Sequence, residues 1–150
     1  MSPRVHGHDG AHALSLDQAQ SAIAAGIAAA ARLGVAPVSL AIVDAAAHPL
    51  AFARMDGALL GSIEVARGKA RTAALFQTDG AALALALQPG GGAYTMQNTH
   101  GGLVAMAGGL MVWRDDGLPL GAIGVSGASP QQDEAVARAV LEVLTGEAKD

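Results

Sequence analysis

Residues 38–55, with the sequence VSLAIVDAAAHPLAFARM, decide the fold of this chain. The segments VSLAIVD and PLAFARM each place alternate side chains on opposite faces, which is typical of a strand. The AAAHP loop between them is short, and a short loop joins antiparallel strands because a parallel pair needs a long crossover. This stretch therefore predicts a hairpin within an antiparallel sheet.

Helices are predicted on both sides of this hairpin. Ser15 is suited to cap a helix over residues 16–33, and Gln18 completes a capping box by reaching back to the cap. A second helix is predicted over residues 62–77, with Ser62 as its cap, and the short helical segment AALALAL follows it. The sequence SPQQ combines a capping serine with a proline at the first helical position, so it predicts the start of a last helix.

Three further strands are predicted from apolar runs in the second half of the chain: LVAMA, GLMVWR and PLGAIGVSG. The DDG sequence from Asp115 to Gly117 predicts a turn that joins the last two as antiparallel neighbours. The order of elements is then α-β-β-α-α-β-β-β-α. We predict an α+β protein with a five-stranded antiparallel sheet flanked by helices and no parallel βαβ unit.

The composition of the chain limits both its core and its chemistry. Its 150 residues suit one domain, and 51% of them are apolar but only 3% aromatic, so small aliphatic side chains must build the core. The absence of cysteine excludes disulfides, thiolate metal sites and a cysteine nucleophile. The net charge of -4 provides no basic surface for a phosphate backbone, so nucleic acid is not an expected partner.

The two ends of the chain differ in composition from its middle. We expect residues 1–13, which contain histidine and glycine, to be a disordered leader. Residues 14–145 are expected to form a single domain, and residues 146–150 a tail. No window has the length and hydrophobicity of a signal peptide or a membrane span, which predicts a soluble cytoplasmic protein without a membrane partner.

Three separated blocks of the sequence match one known family in order: AIVDAAAHPLAFARMDGALLGSIEVARGKARTAA, QPGGGAYTMQNTHGG and GAIGVSGASPQQDEAVARAVL. They resemble the GlcG/HbpS family of haem-binding domains, also named haem-degrading, which includes the C-terminal domain of PduO-type proteins. The resemblance covers about residues 14–145. It implies a profilin-like fold with a five-stranded antiparallel sheet, haem as a cofactor, and assembly into homo-oligomers, often octamers.

Several residues after the hairpin allow both a structural and a functional interpretation. Arg54 suits a bidentate contact with a carboxylate or a haem propionate, or else a structural ion pair. Asp56 either closes an Asx-type turn or belongs to the ligand site. Lys69 lies among alanines, so it either reaches the surface or meets an anion in a pocket. Gly108 and Gly109 allow backbone amides to approach an anionic ligand, and we expect Arg54 and Lys69 to converge with them on one cleft.

Three further charges on the second predicted helix, Glu64, Arg67 and Arg71, fall on a more solvated face than Lys69 because of their spacing. We expect them to point away from the cleft and to form surface or intersubunit pairs. Glu64 is also a candidate for moving a proton.

His48 and His100 are the histidines outside the leader. Imidazole is the ordinary nitrogen ligand of haem iron, so both are candidate iron ligands. His100 is favoured, because it stands beside Thr99 in the loop that matches the pocket segment of the family. Thr99 is accordingly a candidate ligand-binding residue.

These residues support hypotheses from different classes. The first is a protein that binds haem or another tetrapyrrole through an anion-anchoring cleft. The second is an enzyme acting on a small organic acid by proton transfer or lyase-type chemistry, with Arg54 and Lys69 as carboxylate anchors. Its catalytic candidates are His100, Glu64 and Lys69. An assembly module without chemistry is a third alternative, because alanine-rich helix faces suit close subunit packing.

Overall fold

The structure, a computed structural model, describes residues 13–146. Residues 1–12 of the predicted leader and residues 147–150 of the predicted tail lie outside the described part of the chain. No helix within residues 13–146 is long and apolar enough to cross a bilayer. The elements are α1 (Leu16–Leu33), β1 (Ser39–Asp44), β2 (Pro49–Arg54), α2 (Ser62–Phe76), α3 (Gly80–Leu87), a 3-10 helix (Tyr94–Asn98), β3 (Gly109–Trp113), β4 (Pro119–Ser126) and α4 (Pro130–Thr145).

The four strands form one sheet in the order β2-β1-β4-β3, and every neighbouring pair is antiparallel. This confirms the antiparallel sheet, the first hairpin and the DDG turn between β3 and β4. The prediction of a fifth strand at residues 103–107 is wrong. Two backbone N–H groups of that segment bind other partners, because Leu103 N donates to Gln97 O at 3.0 Å and Val104 N donates to Thr72 Oγ1 at 2.9 Å. The segment therefore forms no ladder with the sheet.

The sequence predicted a capping residue for three helices, and the structure confirms two of these caps. α1 and α4 begin with the predicted capping boxes, in which a serine and the glutamine three residues later bind each other's backbone N–H groups. The N-cap of α2 is Gly61, which supplies no side-chain cap. The prediction that Ser62 caps α2 is wrong, because its hydroxyl donates to Leu59 O at 2.6 Å.

The sheet separates two cores of different character. Along β1, Leu40 and Ile42 belong to the larger core, beneath α1 and α4, whereas Ala41 and Val43 belong to a smaller core beneath α2. The smaller core is built mostly from alanine. Small side chains on both sides of this contact allow α2 to lie close to the strands.

Gly124 on β4 lets α2 approach the sheet at backbone distance. A Cβ atom at this position would lie 1.9 Å from Ala66 O and 2.7 Å from Ala70 N. α2 packs over β1, β3 and β4, so most of the edge strand β2 remains uncovered on this face. Phe52 of β2, which pairs with Ala41 and shares its face, is accordingly exposed. The uncovered surface forms the floor of a groove.

Candidate functional site

The groove lies beside α2 and encloses about 650 Å³. Its floor comes from β1, the loop between β1 and β2, and β2 itself; one wall is α2 and the other is the segment 101–104. The floor is apolar. Most of its side chains are small, namely Ala41, Val43, Ala47 and Ala51, and Phe52 adds an aromatic ring.

The wall formed by α2 carries the charges of the site. Glu64, Arg67 and Arg71 line the groove, and their spacings of three and four residues put them on one side of the helix. The three residues lie on the side of α2 away from Lys69, as their spacing predicted, but that side borders the groove and not only open solvent. Within residues 13–146, Arg67 makes no ion pair and no side-chain hydrogen bond. Its guanidinium remains available for an anion in the groove.

The opposite wall is held in place by α2. Arg71 Nη1 donates to His100 O at 2.9 Å, and Thr72 Oγ1 accepts from Val104 N at 2.9 Å. A Cβ atom at Gly68 would lie 2.6 Å from Val104 Cγ2, so glycine is needed for this close approach. His100 has a φ of 56° and is followed by two glycines of positive φ, so the loop adopts a conformation that ordinary residues avoid.

The two candidate iron ligands flank the groove at different places. His100 precedes Gly101 of the wall, is exposed, and packs its ring edge-on against Phe76 at a centroid distance of 5.6 Å. Its Nδ1 lies 2.9 Å from Thr99 Oγ1. His48 is exposed between two residues of the floor, with Nδ1 3.9 Å from a carboxylate oxygen of Asp44. Residues 13–146 contain no cluster of three or more histidines and carboxylates that could hold a bare metal ion.

Lys69 lies on the opposite side of α2 and is 0% exposed. Its Nζ donates to Val125 O at 2.8 Å and to Asp133 Oδ2 at 3.0 Å. It also lies against the predicted glycine loop, because a Cβ atom at Gly108 would be 3.0 Å from Nζ and one at Gly109 would be 3.0 Å from Lys69 O. The anion that Lys69 meets is thus Asp133 of the same chain. A charge this deep in the core is costly without such a partner.

Arg54 and Asp56 do not join Lys69 in one cleft. Arg54 ends β2, at one edge of the sheet, whereas Gly109 begins β3 at the other edge. Both Arg54 and Asp56 are exposed. The predicted convergence of Arg54, Lys69 and the glycine loop is therefore wrong, because two strands separate the edge strands β2 and β3, and the lysine is enclosed in the core.

Asp116 has a markedly shifted pKa, and it lies away from the groove. A hydrogen bond from Arg114 lowers the pKa of Asp116 to about 2, in the turn between β3 and β4. The groove itself offers two guanidiniums and one carboxylate in an otherwise apolar setting. Such a site suits a flat apolar ligand that carries acidic groups at its edge.

Sequence reasoning separated Lys69 from the other three charges of α2, but it expected the ligand on the side of Lys69 because that lysine lies among alanines. A usable signal was present, since the spacing of Glu64, Arg67 and Arg71 forms a stripe with Gly68 inside it. A glycine within a charged stripe on a helix marks a place where another segment approaches closely.

Comparison with known proteins identifies a family and several relatives of this chain. Residues 14–142 match the family model described as "Haem degrading protein HbpS-like". The corrinoid adenosyltransferase PduO of Citrobacter freundii is 38% identical over 109 residues, which is 72% of this chain and 32% of that protein. The chain thus spans about a third of the length of this curated relative.

Two solved structures are also similar to the chain. The first is a PduOC:heme complex, with 36% identity and a TM-score of 0.81, covering 87% of this chain and 94% of that one. The second is a double mutant of HbpS from Streptomyces reticuli, with 35% identity and a TM-score of 0.80, covering 96% of this chain and 98% of that one.

Proposed function

The chain belongs to the HbpS-like family, and from this premise we propose that it binds haem or a related tetrapyrrole in the groove beside α2. The observation that carries the proposal is the pairing of an apolar floor with two guanidiniums on one wall. A relative with 36% identity that was solved as a complex with haem supports the same ligand class. The groove, at about 650 Å³, lies within the usual range for a cofactor site.

Arg67 and Arg71 are the residues suited to hold the propionates. A guanidinium binds a carboxylate through parallel hydrogen bonds, and this contact is strong where water is partly excluded. Arg71 already donates from Nη1 to His100 O, which leaves its other N–H groups for a ligand. The small side chains of the floor would let a flat macrocycle lie against β1 and β2.

His100 is our first candidate for the axial iron ligand, and His48 is the second. Haem supplies an iron that takes an imidazole nitrogen as axial ligand. Thr99 Oγ1 lies 2.9 Å from Nδ1 of His100, and such a second contact orients a ligating ring and leaves Nε2 for the iron. Thr99 thus enters the proposal as a residue that orients His100.

A visible-absorption titration with haemin tests this assignment. We expect the wild-type chain to shift the Soret band on binding, His100→Ala to lose most of that shift, and His48→Ala to retain it. The reverse pattern would assign His48 as the iron ligand. Equal Soret shifts in the wild type and in both variants would contradict ligation by either histidine, and the absence of any shift would contradict haem binding altogether.

The groove does not bring together the residues of the enzyme hypothesis. Glu64 lines the groove, whereas Lys69 is enclosed on the other side of α2 and paired with Asp133. Arg54 is not among the residues that line the groove. No observation in the described part of the chain favours chemistry on an organic acid in this groove.

Self-association into a homo-oligomer, of which the octamer implied by the resemblance is one form, is also part of the proposal. α3 has the sequence GAALALAL and is apolar on every side. Even so, Leu85 of this helix is 68% exposed. An apolar helix of this kind normally has all its sides covered. Light scattering at micromolar concentration should give a mass of several subunits, and a monomer would contradict the proposal.

A further inference from the structure

The wall that α2 contributes to the groove carries a carboxylate as well as guanidiniums. Glu64, Arg67 and Arg71 all line the groove. Because a helix rises about 1.5 Å per residue, Glu64 lies about 4.5 Å before Arg67 and about 10.5 Å before Arg71 along the helix axis. The charges are thus ordered along the wall, with the acid at one end and the two bases beyond it. Anchoring of propionates by the bases does not account for the acid.

The basic end of this wall is the end that meets the segment 101–104. Arg71 donates to His100 O at 2.9 Å, and the adjacent Thr72 accepts a hydrogen bond from Val104 N at 2.9 Å. Glu64 lies about two helical turns before these contacts. The groove therefore has a basic end beside the first candidate iron ligand and an acidic end away from it.

The acidic end has a defined position above the sheet. Ser62 Oγ, at the start of α2, lies 2.8 Å from Ser39 Oγ at the start of β1. Further along the helix, Ala66 O would lie 1.9 Å from a Cβ atom at Gly124, which is level with a point two residues farther along β1. α2 therefore runs beside β1 in the same direction. Glu64 lies between these two contacts, at one end of the apolar floor.

No partner offsets the charge of Glu64. Its carboxylate makes no ion pair and no hydrogen bond within residues 13–146, although Arg67 stands three residues later. Arg54 ends β2 but is not among the residues that line the groove. The lining residue of β2 nearest to that strand end is Phe52, which is apolar. A ligand that reaches the acidic end thus meets an unpaired carboxylate beside an apolar floor.

The first-turn position of Glu64 has a structural effect that needs no ligand. A carboxylate in the first turn stabilises a helix through the macrodipole, and Asp17 occupies the first turn of α1 in the same way. This effect does not depend on the side of the helix that the residue occupies. Asp17 is exposed on a helix that packs on the other face of the sheet, whereas Glu64 lines the groove. The two acids therefore differ in what a ligand meets.

We propose that Glu64 is a specificity-determining residue that restricts the groove to tetrapyrroles with carboxylates on one edge only. This inference rests on haem binding in the groove. Haem carries both propionates on one edge of the macrocycle and apolar vinyl groups on the opposite edge. With the propionates at Arg67 and Arg71, the vinyl edge faces the acidic end. Carboxylates on that edge would meet Glu64, and like charges in a partly dry groove repel each other.

Matched ligands test this specificity. Ferric coproporphyrin III has the ring of haem with propionates in place of both vinyl groups, and mesohaemin has uncharged ethyl groups there. In Soret titrations of the full chain, we expect haemin and mesohaemin to bind alike and ferric coproporphyrin III to bind about three- to fivefold more weakly, the size of one partly exposed charge interaction. All three contain iron, so iron ligation cancels in the ratio of affinities.

The outcomes separate this inference from the proposed function. Binding of ferric coproporphyrin III as tightly as haemin would overturn the specificity and leave haem binding intact. Binding of mesohaemin as weakly as ferric coproporphyrin III would overturn it too, because shape and not charge would then discriminate. No Soret shift with haemin would overturn both proposals.

Variants assign the effect to one side chain. Glu64→Gln should bring the affinity for ferric coproporphyrin III close to that for haemin, whereas Glu64→Asp keeps the charge and should retain the preference. Asp17→Asn removes a first-turn carboxylate away from the groove and should leave the ratio of affinities unchanged. An unchanged ratio in Glu64→Gln, or an equal change in Asp17→Asn, would overturn the role of Glu64. The effect of Glu64→Gln should also shrink at high salt, because salt screens the repulsion; an effect that persists undiminished would contradict an electrostatic origin.

Discussion

The cations on the two sides of α2 differ in burial and in whether a carboxylate binds them. Lys69 faces the core, where Asp133 binds it, whereas Arg67 and Arg71 face the groove. Residues 67 and 69 are only two positions apart, but two positions turn a helix by about 200°, so they lie on opposite sides. A buried cation with a partner cannot be removed without leaving that partner's charge uncompensated, whereas an available cation at a concavity is suited to a ligand. The role of each cation depends on its partner, and the partner of Lys69 lies far from it in the sequence.

The sharpest way to test this comparison is to remove the buried cation. Lys69→Met leaves the carboxylate of Asp133 buried without its partner, and we expect the free energy of unfolding to fall by about 3–5 kcal/mol. Arg67→Met makes the same chemical change on the groove side and should cost less than about 0.5 kcal/mol. Urea denaturation followed by circular dichroism measures both. Equal losses in the two variants would contradict the division between the two sides.

The groove side is tested through ligand affinity. Arg67→Gln and Arg71→Gln should each weaken haemin binding by about 1.5–3 kcal/mol, because each removes a charge-assisted hydrogen bond to a propionate. Arg32→Gln, at an exposed position in the last turn of α1, is the matched control and should leave affinity unchanged. Fluorescence quenching of Trp113 or the Soret band gives the dissociation constants. Loss of affinity in all three variants would indicate a general effect of charge, and no loss in any would contradict propionate anchoring.

The smallest expected effect concerns the contact between α2 and the opposite wall. Gly68→Ala places a methyl group where Val104 Cγ2 lies, so the segment 101–104 must move. Overpacking usually costs about 1–3 kcal/mol, but alanine in place of glycine in a helix returns about 1 kcal/mol. We therefore expect a net loss of about 1 kcal/mol in unfolding free energy and weaker haemin binding.

A second glycine substitution shows the effect of an added methyl group where it meets no neighbour. Gly92 lies outside the regular helices and strands, and a Cβ atom there would meet no heavy atom within 4 Å. Gly92→Ala should leave both stability and haemin affinity close to those of the wild type. If Gly68→Ala also leaves stability and haemin affinity unchanged, the prediction is wrong, and the segment 101–104 moves aside at little cost in free energy.

Local features of this fold were predictable from the sequence, and features that depend on distant partners were not. The hairpin of residues 38–55 and the capping boxes at Ser15 and Ser129 involve neighbours in the chain, so their residues could be read directly. The segment LVAMA has the composition of a strand. Its backbone instead binds Thr72, a residue 32 positions away, which no local pattern reveals.

The candidate site shows the same limit. The chemistry of the charges on α2 was evident from the sequence, and so was the closeness of Lys69 to Gly108 and Gly109. The occupation of Lys69 by a carboxylate of its own chain depended on Asp133, which is 64 positions away in the sequence.

Gly124 helps to set the dimensions of the groove, although it is not one of the residues that line it. α2 is one wall of the groove, and its height above the sheet is fixed where its backbone meets Gly124. During evolution, a single replacement there would raise the helix and change the size of acceptable ligands while every lining residue stayed the same. Divergence of ligand preference among relatives should therefore be sought beneath the helix as well as along the walls.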